Sequence, residues 1–317
     1  MGNKILVTGG AGFIGGHLCE ALLKEGSEVV CMDNFNDYYN PKYKQENIKD
    51  CLQNKKFTLL TKDFRDKDIA KVFDKYDIRR VIHLGAQAGV RYSIENPLLY
   101  LDVNVSGTLN LLEASRKNNV KHFIFGSSSS VYGLNKKVPF SEEDKVDKPI
   151  SPYAASKAAG ELYCHAFSHL YGINTTCLRF FTVYGPRGRP DMAPYKFTKL
   201  ISEGRPIEMY GDGSSKRDYT YITDIVDGIV EASKKEFKYE IINLGDSRAV
   251  ELNYLISLVE REVGRKAIIE RKPVQLGDVP LTFADISKAG RLLNYQPKVG
   301  IEEGVKRLVS WYKKTRQ

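Results

Sequence analysis

Two segments of this 317-residue chain carry side chains able to move protons and hold phosphates. In Pro152-Tyr153-Ala154-Ala155-Ser156-Lys157, a phenol and an amine stand four residues apart, so a helix would place both on one face. Ser151 can cap that helix and Pro152 can begin it. A phenol titrates near pH 10 and is a poor base at neutral pH until neighbouring cations favour its phenolate. Lys157 supplies one such cation and the helix N-terminus a partial charge. Alone, a Tyr/Lys pair at this spacing is usually a surface pair.

The second segment is Thr8-Gly9-Gly10-Ala11-Gly12-Phe13-Ile14-Gly15, which satisfies two overlapping glycine patterns between an expected strand and an expected helix. Glycine lets the turn be tight and the backbone approach a pyrophosphate, and the helix N-terminus then offers free N–H groups. Gly9, Gly12, Phe13, Ile14 and Gly15 are therefore candidate cofactor contacts. Asp33 ends the next expected strand, where its carboxylate can accept from the ribose hydroxyls and repel a 2′-phosphate, favouring NAD over NADP.

Hydrophobic period places these segments. Ile5 to Thr8, Glu28 to Met32, Phe57 to Leu60 and Val81 to Leu84 read as buried strands, with helices at Phe13 to Lys24 and Ile69 to Phe73 between them. The stretch from Asn34 to Asn54 reads as a polar insertion. A helix over Pro97 to Lys117, strands at His122 to Phe125 and Thr175 to Phe180, and the helix after Pro152 continue the alternation. The fold class is α/β, a doubly wound, Rossmann-type parallel sheet. Regular alternation stops at Tyr184-Gly185-Pro186-Arg187-Gly188-Arg189-Pro190, and Ile241 to Leu244 reads as a return to the sheet. The expected division is residues 1–183 and 217–247 in the nucleotide domain, and 184–216 and 248–317 in a smaller, discontinuous one.

With 42% hydrophobic and 27% charged residues, the composition excludes a wholly disordered or collagen-like chain. No stretch reaches the length of a membrane span and no signal-peptide layout opens the chain, so the expected compartment is the cytoplasm. Five cysteines without a C-x-x-C pair read as reduced thiols. The charge of +9 contains no long basic run; solvated lysine faces account for it, and neither nucleic acid nor a membrane is expected as a partner.

Together the glycine loop and the Tyr153/Lys157 pair resemble the extended short-chain dehydrogenase/reductase family over nearly the whole chain. That family has a catalytic Ser or Thr before the tyrosine helix, a place filled here by Gly126-Ser127-Ser128-Ser129-Ser130-Val131-Tyr132-Gly133. Spacing from Val131-Tyr132-Gly133 selects Ser128; Ser127 and Ser129 stay open, since four consecutive serines leave the register uncertain by one. Within the family, three segments are most similar to nucleotide-sugar 4-epimerases, and among them to the UDP-glucuronate 4-epimerases. These are Asp33-Asn34-Phe35-Asn36-Asp37-Tyr38-Tyr39, Ala86-Gln87-Ala88-Gly89-Val90-Arg91-Tyr92-Ser93, and the run from Phe181 to Met192.

The resemblance implies NAD as cofactor, contacted by Asn34, Asp63, Phe64, Gln87 and Asn104 in addition to the loop, Asp33, Tyr153 and Lys157. It implies a UDP-sugar substrate held by Arg217 on the diphosphate and by Gln275 and Asp278 on the uridine ribose. Ser129 and Thr182 belong to the same substrate set, and Arg189, with Arg91 or Ser93 as alternates, would grip a sugar carboxylate. Family dehydratases carry an Asp-Glu pair where Ser129 and Ser130 stand here, and the decarboxylases a Glu at Ser130; serine cannot replace that acid/base group. The implied reaction is C4 epimerisation with UDP-glucuronate and UDP-galacturonate as the preferred pair. Rival readings are epimerisation of neutral UDP-glucose or UDP-N-acetylglucosamine, and a non-catalytic dinucleotide sensor. A homodimer through an intersubunit four-helix bundle is also implied, built on the stripe Leu98, Leu101, Val105, Leu109 and Leu112 and on the Tyr153 helix; burial inside the monomer would give the same stripe. His165 and His169 lack a third ligand nearby and are not read as a metal site.

Overall fold

The computed structural model describes residues 4–274 and 279–316, so Gln275 and Asp278 lie outside the described residues. The first half runs β1 (Lys4–Thr8), α1 (Phe13–Lys24), β2 (Glu28–Asp33), α2 (Pro41–Asn47), β3 (Phe57–Thr61), α3 (Ile69–Tyr76), β4 (Arg80–His83), α4 (Val90–Glu95), α5 (Pro97–Tyr100), α6 (Gly107–Lys117), β5 (His122–Ser128), α7 (Pro152–Tyr171) and β6 (Asn174–Phe180). The second runs β7 (Thr182–Tyr184), α8 (Ala193–Ser202), β8 (Ile207–Tyr210), β9 (Lys216–Tyr221), α9 (Ile222–Ser233), β10 (Tyr239–Leu244), β11 (Ala249–Glu251), α10 (Leu252–Val263), β12 (Ile269–Lys272), β13 (Leu281–Thr282), α11 (Ser287–Leu293) and α12 (Ile301–Arg316).

Seven strands in the order β10-β6-β5-β4-β1-β2-β3, all parallel, form the doubly wound sheet that the alternating pattern predicts. Both faces are buried because successive strand residues point to opposite sides. Ile5, Val7, Val29 and Ile124 pack with Leu18 and Leu22 of α1 and Ile225 and Ile229 of α9. Leu6, Val30, Val81 and Phe123 face the other way, onto Val72 and Phe73 of α3, Leu111 of α6 and Phe167 of α7. Strand order reverses between β1 and β4, which opens the crevice at their C-terminal ends where such sheets bind ligands.

Local chemistry sets the helix ends. Ser151 accepts from the Ala154 N–H at 3.1 Å and Pro152 opens α7. Gly26, at φ +84°, lets Ser27 N–H reach Leu22 O and Gly26 N–H reach Leu23 O, both at 3.0 Å, closing α1 with a Schellman motif. Two helices within the polar stretches have no apolar period to announce them. One is α2, begun by Asn40 as cap and Pro41 at its first position; the other is α4. The helix expected over residues 97–117 contains a π-helical segment, Leu101–Ser106, between α5 and α6. That wide turn carries Asn104.

After β6 the chain leaves the large sheet. β9 pairs with β7, β11 and β13, so residues 216–221 sit in a second, small sheet and the chain rejoins the first layer only with α9 and β10. The return expected at residue 217 thus falls inside β9, because Tyr219, Thr220 and Tyr221 pair with Thr182, Val183 and Tyr184.

Candidate active site

A cavity of about 550 Å³ extends from the glycine loop to the N-terminal end of α7 and the chain after β6. Its cofactor-side wall includes Gly9, Gly12, Phe13, Ile14 and Gly15. Gly9 has φ +64°, and a Cβ there would lie 2.7 Å from the Gly85 backbone. A Cβ at Gly15 would collide with the Gly9 carbonyl oxygen. Both positions therefore require glycine, and the cradle they leave fits a dinucleotide pyrophosphate against the α1 N-terminus. Asp33 lines the same wall; its carboxylate accepts from Ala11 N–H at 3.2 Å and Phe35 N–H at 2.9 Å, which fixes its orientation.

Lys44, from α2, places Nζ 3.8 Å from Asp33 Oδ1. It is a buried cation in the cofactor wall that sequence reasoning missed; the Asn40-Pro41 helix start was its only local signal. Burial pushes its ammonium down, with the Asp33 charge opposing. Asn34, Asp63 and Phe64 complete this end of the cavity. Burial would raise the Asp63 carboxyl, but hydrogen bonds from Arg65 and Asn34 prevail and hold it near about 2.

At the centre, the end of β5 is tied to α7 through Gly126 and Ser127. Gly126 O accepts from Lys157 Nζ at 2.7 Å and Ser127 Oγ donates to Glu161 Oε1 at 2.5 Å, whereas Ser128 lines the cavity with Tyr153, its Oγ accepting from Ser130 N–H at 3.2 Å. Glu161 is further held by a bidentate pair with Arg179, at 2.9 and 2.8 Å, in which both side chains are buried. The Ser127 hydroxyl is thereby committed to the core and Ser128 is the one turned to the phenol. Ser129 lines the cavity as well.

Burial raises the Tyr153 phenol; the Ser128 hydrogen bond opposes that most, followed by the charge of Arg189. Lys157, buried beside the Phe125 ring, is pushed down to about 8, with Glu161 opposing. His83, behind this wall, falls to about 3 through burial and the Lys157 charge, so it is a neutral imidazole that bridges Thr8 and Thr108. These directions give a pH test. Ser128→Ala removes the bond that favours phenolate, so the alkaline-rising limb of kcat is expected to move to higher pH, whereas Ser127→Ala should leave the limb in place. Identical profiles for Ser128→Ala and the unaltered protein would remove Ser128 from the pair.

Gln87 lines the cavity, but Asn104 stands one layer behind it. Its side chain clamps Gln87 through N–H and carbonyl, at 2.7 and 2.9 Å, and donates to Ser156 Oγ on α7 at 2.9 Å. It therefore braces the loop after β4 against the Tyr153 helix. Thr182 and Arg189, on the chain after β6, line the cavity too. Their loop is pinned by Arg187, which pairs with Glu20 of α1 at 2.6 Å and donates to Asn47 O of α2 at 2.9 Å. Arg189 forms a bidentate pair with Asp191, and the Tyr38 hydroxyl reaches the same carboxylate from across the cavity mouth.

Arg217 lines an adjoining cavity of about 150 Å³ that shares Ser129, Ser130 and Thr182 with the first. Two candidates are placed elsewhere. Ser93 is fully buried and donates to Val90 O at 2.5 Å, and Arg91 stacks over the Tyr210 ring at 4.4 Å. The carboxylates lining the main cavity, Asp33, Asp37 and Asp63, all belong to its cofactor end.

A glycine loop opening α1, an aspartate at the end of β2 and a Ser/Tyr/Lys set lining one cavity between a large and a small sheet define an extended short-chain dehydrogenase/reductase of the nucleotide-sugar type. A family model described as GDP-mannose 4,6 dehydratase matches residues 6–308, and the chain belongs to that family. A UDP-glucuronate 4-epimerase of Thermodesulfobacterium geofontis is 47% identical to it over 97% of this chain and 95% of that protein. The crystal structure of a UDP-glucuronic acid 4-epimerase from Bacillus cereus, in complex with UDP-glucuronic acid and NAD, aligns with a TM-score of 0.93 at 39% identity, covering 98% of this chain and 99% of that one. A UDP-glucose 4-epimerase from Thermotoga maritima, with UDP-glucose, aligns at 0.91 and 35% identity over 99% of this chain and 100% of that one.

Proposed function

We propose that this protein interconverts UDP-glucuronate and UDP-galacturonate by inverting C4, with NAD as its recycled cofactor. The observation that carries the reading is that Ser128, Tyr153 and Lys157 line one cavity, with Tyr153 and Lys157 one helical turn apart, and that this cavity is continuous with the glycine cradle. Full-length similarity to UDP-glucuronate 4-epimerases supports the substrate. The family's descriptive name points to dehydration, which needs a carboxyl group at the sugar; Ser129 and Ser130 stand in that place.

Bound NAD⁺ supplies the acceptor and donor for the C4 hydride and a positive charge at the nicotinamide. Gly9, Gly12 and Gly15 cradle its pyrophosphate, Asp33 accepts from its ribose, and Lys157 fixes the floor beside Gly126. Tyr153 Oη takes the proton from the C4 hydroxyl and returns it after the ring has turned, while Ser128 Oγ donates to the same sugar oxygen. A uronate oxidised at C4 is a β-keto acid and loses carbon dioxide when its carboxylate stands perpendicular to the ketone. Arg189, a planar bidentate donor, and Thr182 hold that carboxylate out of the reactive orientation. Arg217, in the adjoining cavity, grips the diphosphate.

Incubation with each UDP-sugar and separation of the products tests the reading. UDP-glucuronate should equilibrate with its C4 epimer faster than UDP-glucose does, without net reduction of NAD. Equal rates on both sugars, or a dehydrated product, would overturn it.

We assign the protein to the cytoplasm, since its five cysteines are all buried and free, as suits a reducing compartment. No helix among the described residues is long and apolar enough to cross a membrane. Leu98 and Leu101, after α4, and Leu162 and Leu170 on α7 are exposed by 77, 54, 71 and 65%. Such an apolar face suits a second copy packing helix against helix, as in a homodimeric four-helix bundle. Leu162→Glu is expected to give a monomer by light scattering at concentrations where the unaltered protein is a dimer; a dimer that persists in Leu98→Glu/Leu162→Glu would place the interface elsewhere.

A further inference from the structure

The Arg189 fork is occupied by the protein itself. Nε donates to Asp191 Oδ1 at 3.0 Å and Nη2 to Oδ2 at 2.6 Å, so an arginine that lines a cavity whose expected ligand is a carboxylate is already held in a bidentate pair by a carboxylate behind the wall. Tyr38, from the loop after β2, donates to the same Oδ2 at 3.3 Å, and its ring lies 5.9 Å from the guanidinium. Tyr38 also packs on Tyr92 at 5.3 Å, so this clasp spans the cavity mouth from the cofactor side to the sugar side. Burial and the Asp191 charge push the Tyr38 phenol up to about 12, which keeps it a donor at working pH.

We infer that Asp191 is an internal stand-in for the substrate carboxylate, filling the Arg189 fork until a UDP-hexuronate displaces it. The inference rests on the reading that Arg189 receives the sugar carboxylate. One carboxylate replaces another of the same charge and geometry, so Arg189 is never left without a counter-ion beside Tyr153, whether the site is free or filled. The displaced Asp191 keeps its bond from Tyr38. A neutral sugar offers nothing to exchange and leaves the Arg189–Asp191 pair intact. Asp191 thereby makes the hexuronate compete for its own binding group, and it tempers the preference for the hexuronate without touching the reacting atoms.

The test is calorimetric binding of UDP-glucuronate and UDP-glucose to the NAD-loaded protein in a Tyr153→Phe background, which stops turnover during titration. Asp191→Asn keeps the volume and an acceptor for Tyr38 but surrenders the charge that holds the fork. It is expected to tighten UDP-glucuronate by about tenfold and to change UDP-glucose by less than about twofold, since a charge-assisted pair is roughly twice as strong as a neutral one. UDP-glucuronate bound equally or less tightly by Asp191→Asn would overturn the exchange. Arg189→Ala separates the two ideas. If it removes the preference for UDP-glucuronate while Asp191→Asn fails to enhance it, the exchange falls and the carboxylate role of Arg189 stands. If Arg189→Ala leaves the preference untouched, both fall.

Discussion

Tyr153→Phe is expected to lower kcat by at least about a hundredfold while the protein remains folded and loaded with NAD, because removing a general acid/base costs at least that much. The phenol oxygen is the group that Ser128 meets and that the Arg189 charge acts on, whereas the ring itself packs edge-on to Tyr100 at 6.1 Å. Phenylalanine keeps that packing and deletes only the proton carrier. Bound NAD released by denaturation and quantified by absorbance gives the control. Near-normal turnover with NAD retained would transfer the proton-carrying role to another residue.

Glu161→Leu is expected to destabilise the protein by about 3–5 kcal/mol, the usual result of stranding one member of a buried ion pair. Arg179 is 1% exposed, pairs with Glu161 and carries a buried Nη1 without a hydrogen-bond partner among the described residues, so losing Glu161 strands its charge. Stacking over the Tyr132 ring at 4.8 Å is all that would remain, besides any bond regained by rearrangement. Replacing both members, Glu161→Leu with Arg179→Met, should recover most of the loss, since a packed apolar pair costs less than an orphaned charge. Denaturant midpoints and slopes for the two single variants and the double variant measure this directly. A double variant no more stable than Glu161→Leu would mean that the Ser127 contact, and not the ion pair, is what Glu161 contributes. Activity is expected to fall with Glu161 as well, because its charge opposes the effect of burial on Lys157.

Features that depend on contiguous residues were legible without coordinates. The strand–loop–helix of residues 4–24 is readable because a tight turn with close backbone approach demands glycine at fixed offsets, and no other side chain meets that demand. Tyr153 and Lys157 share a helix face by spacing alone, and Ser151-Pro152 marks where that helix starts. The parallel sheet follows from period, since strands alternating with helices can be joined only by crossovers. Helices in polar stretches were not legible this way: α2 rests on its Asn40-Pro41 start and on tertiary contacts, which is why Lys44 beside Asp33 went unseen.

By itself, then, the sequence determined the fold class, the cofactor cradle and the Tyr/Lys pair. Which of four serines faces the phenol was decided only by tertiary structure, because a one-residue shift turns a strand side chain to the other face, and the pairing of β5 with β6 that sets the register also seats Ser127 against Glu161, 34 residues away. The second sheet's claim on residues 216–221 was decided by pairing with β7. Asn104 lies behind the wall, and Arg189 meets an acidic neighbour fixed by Tyr38 from 153 residues upstream of that neighbour. Each of these depends on chain segments that meet only after the sheet has formed, and neither residue type nor local spacing encodes which distant group fills a given hydrogen bond.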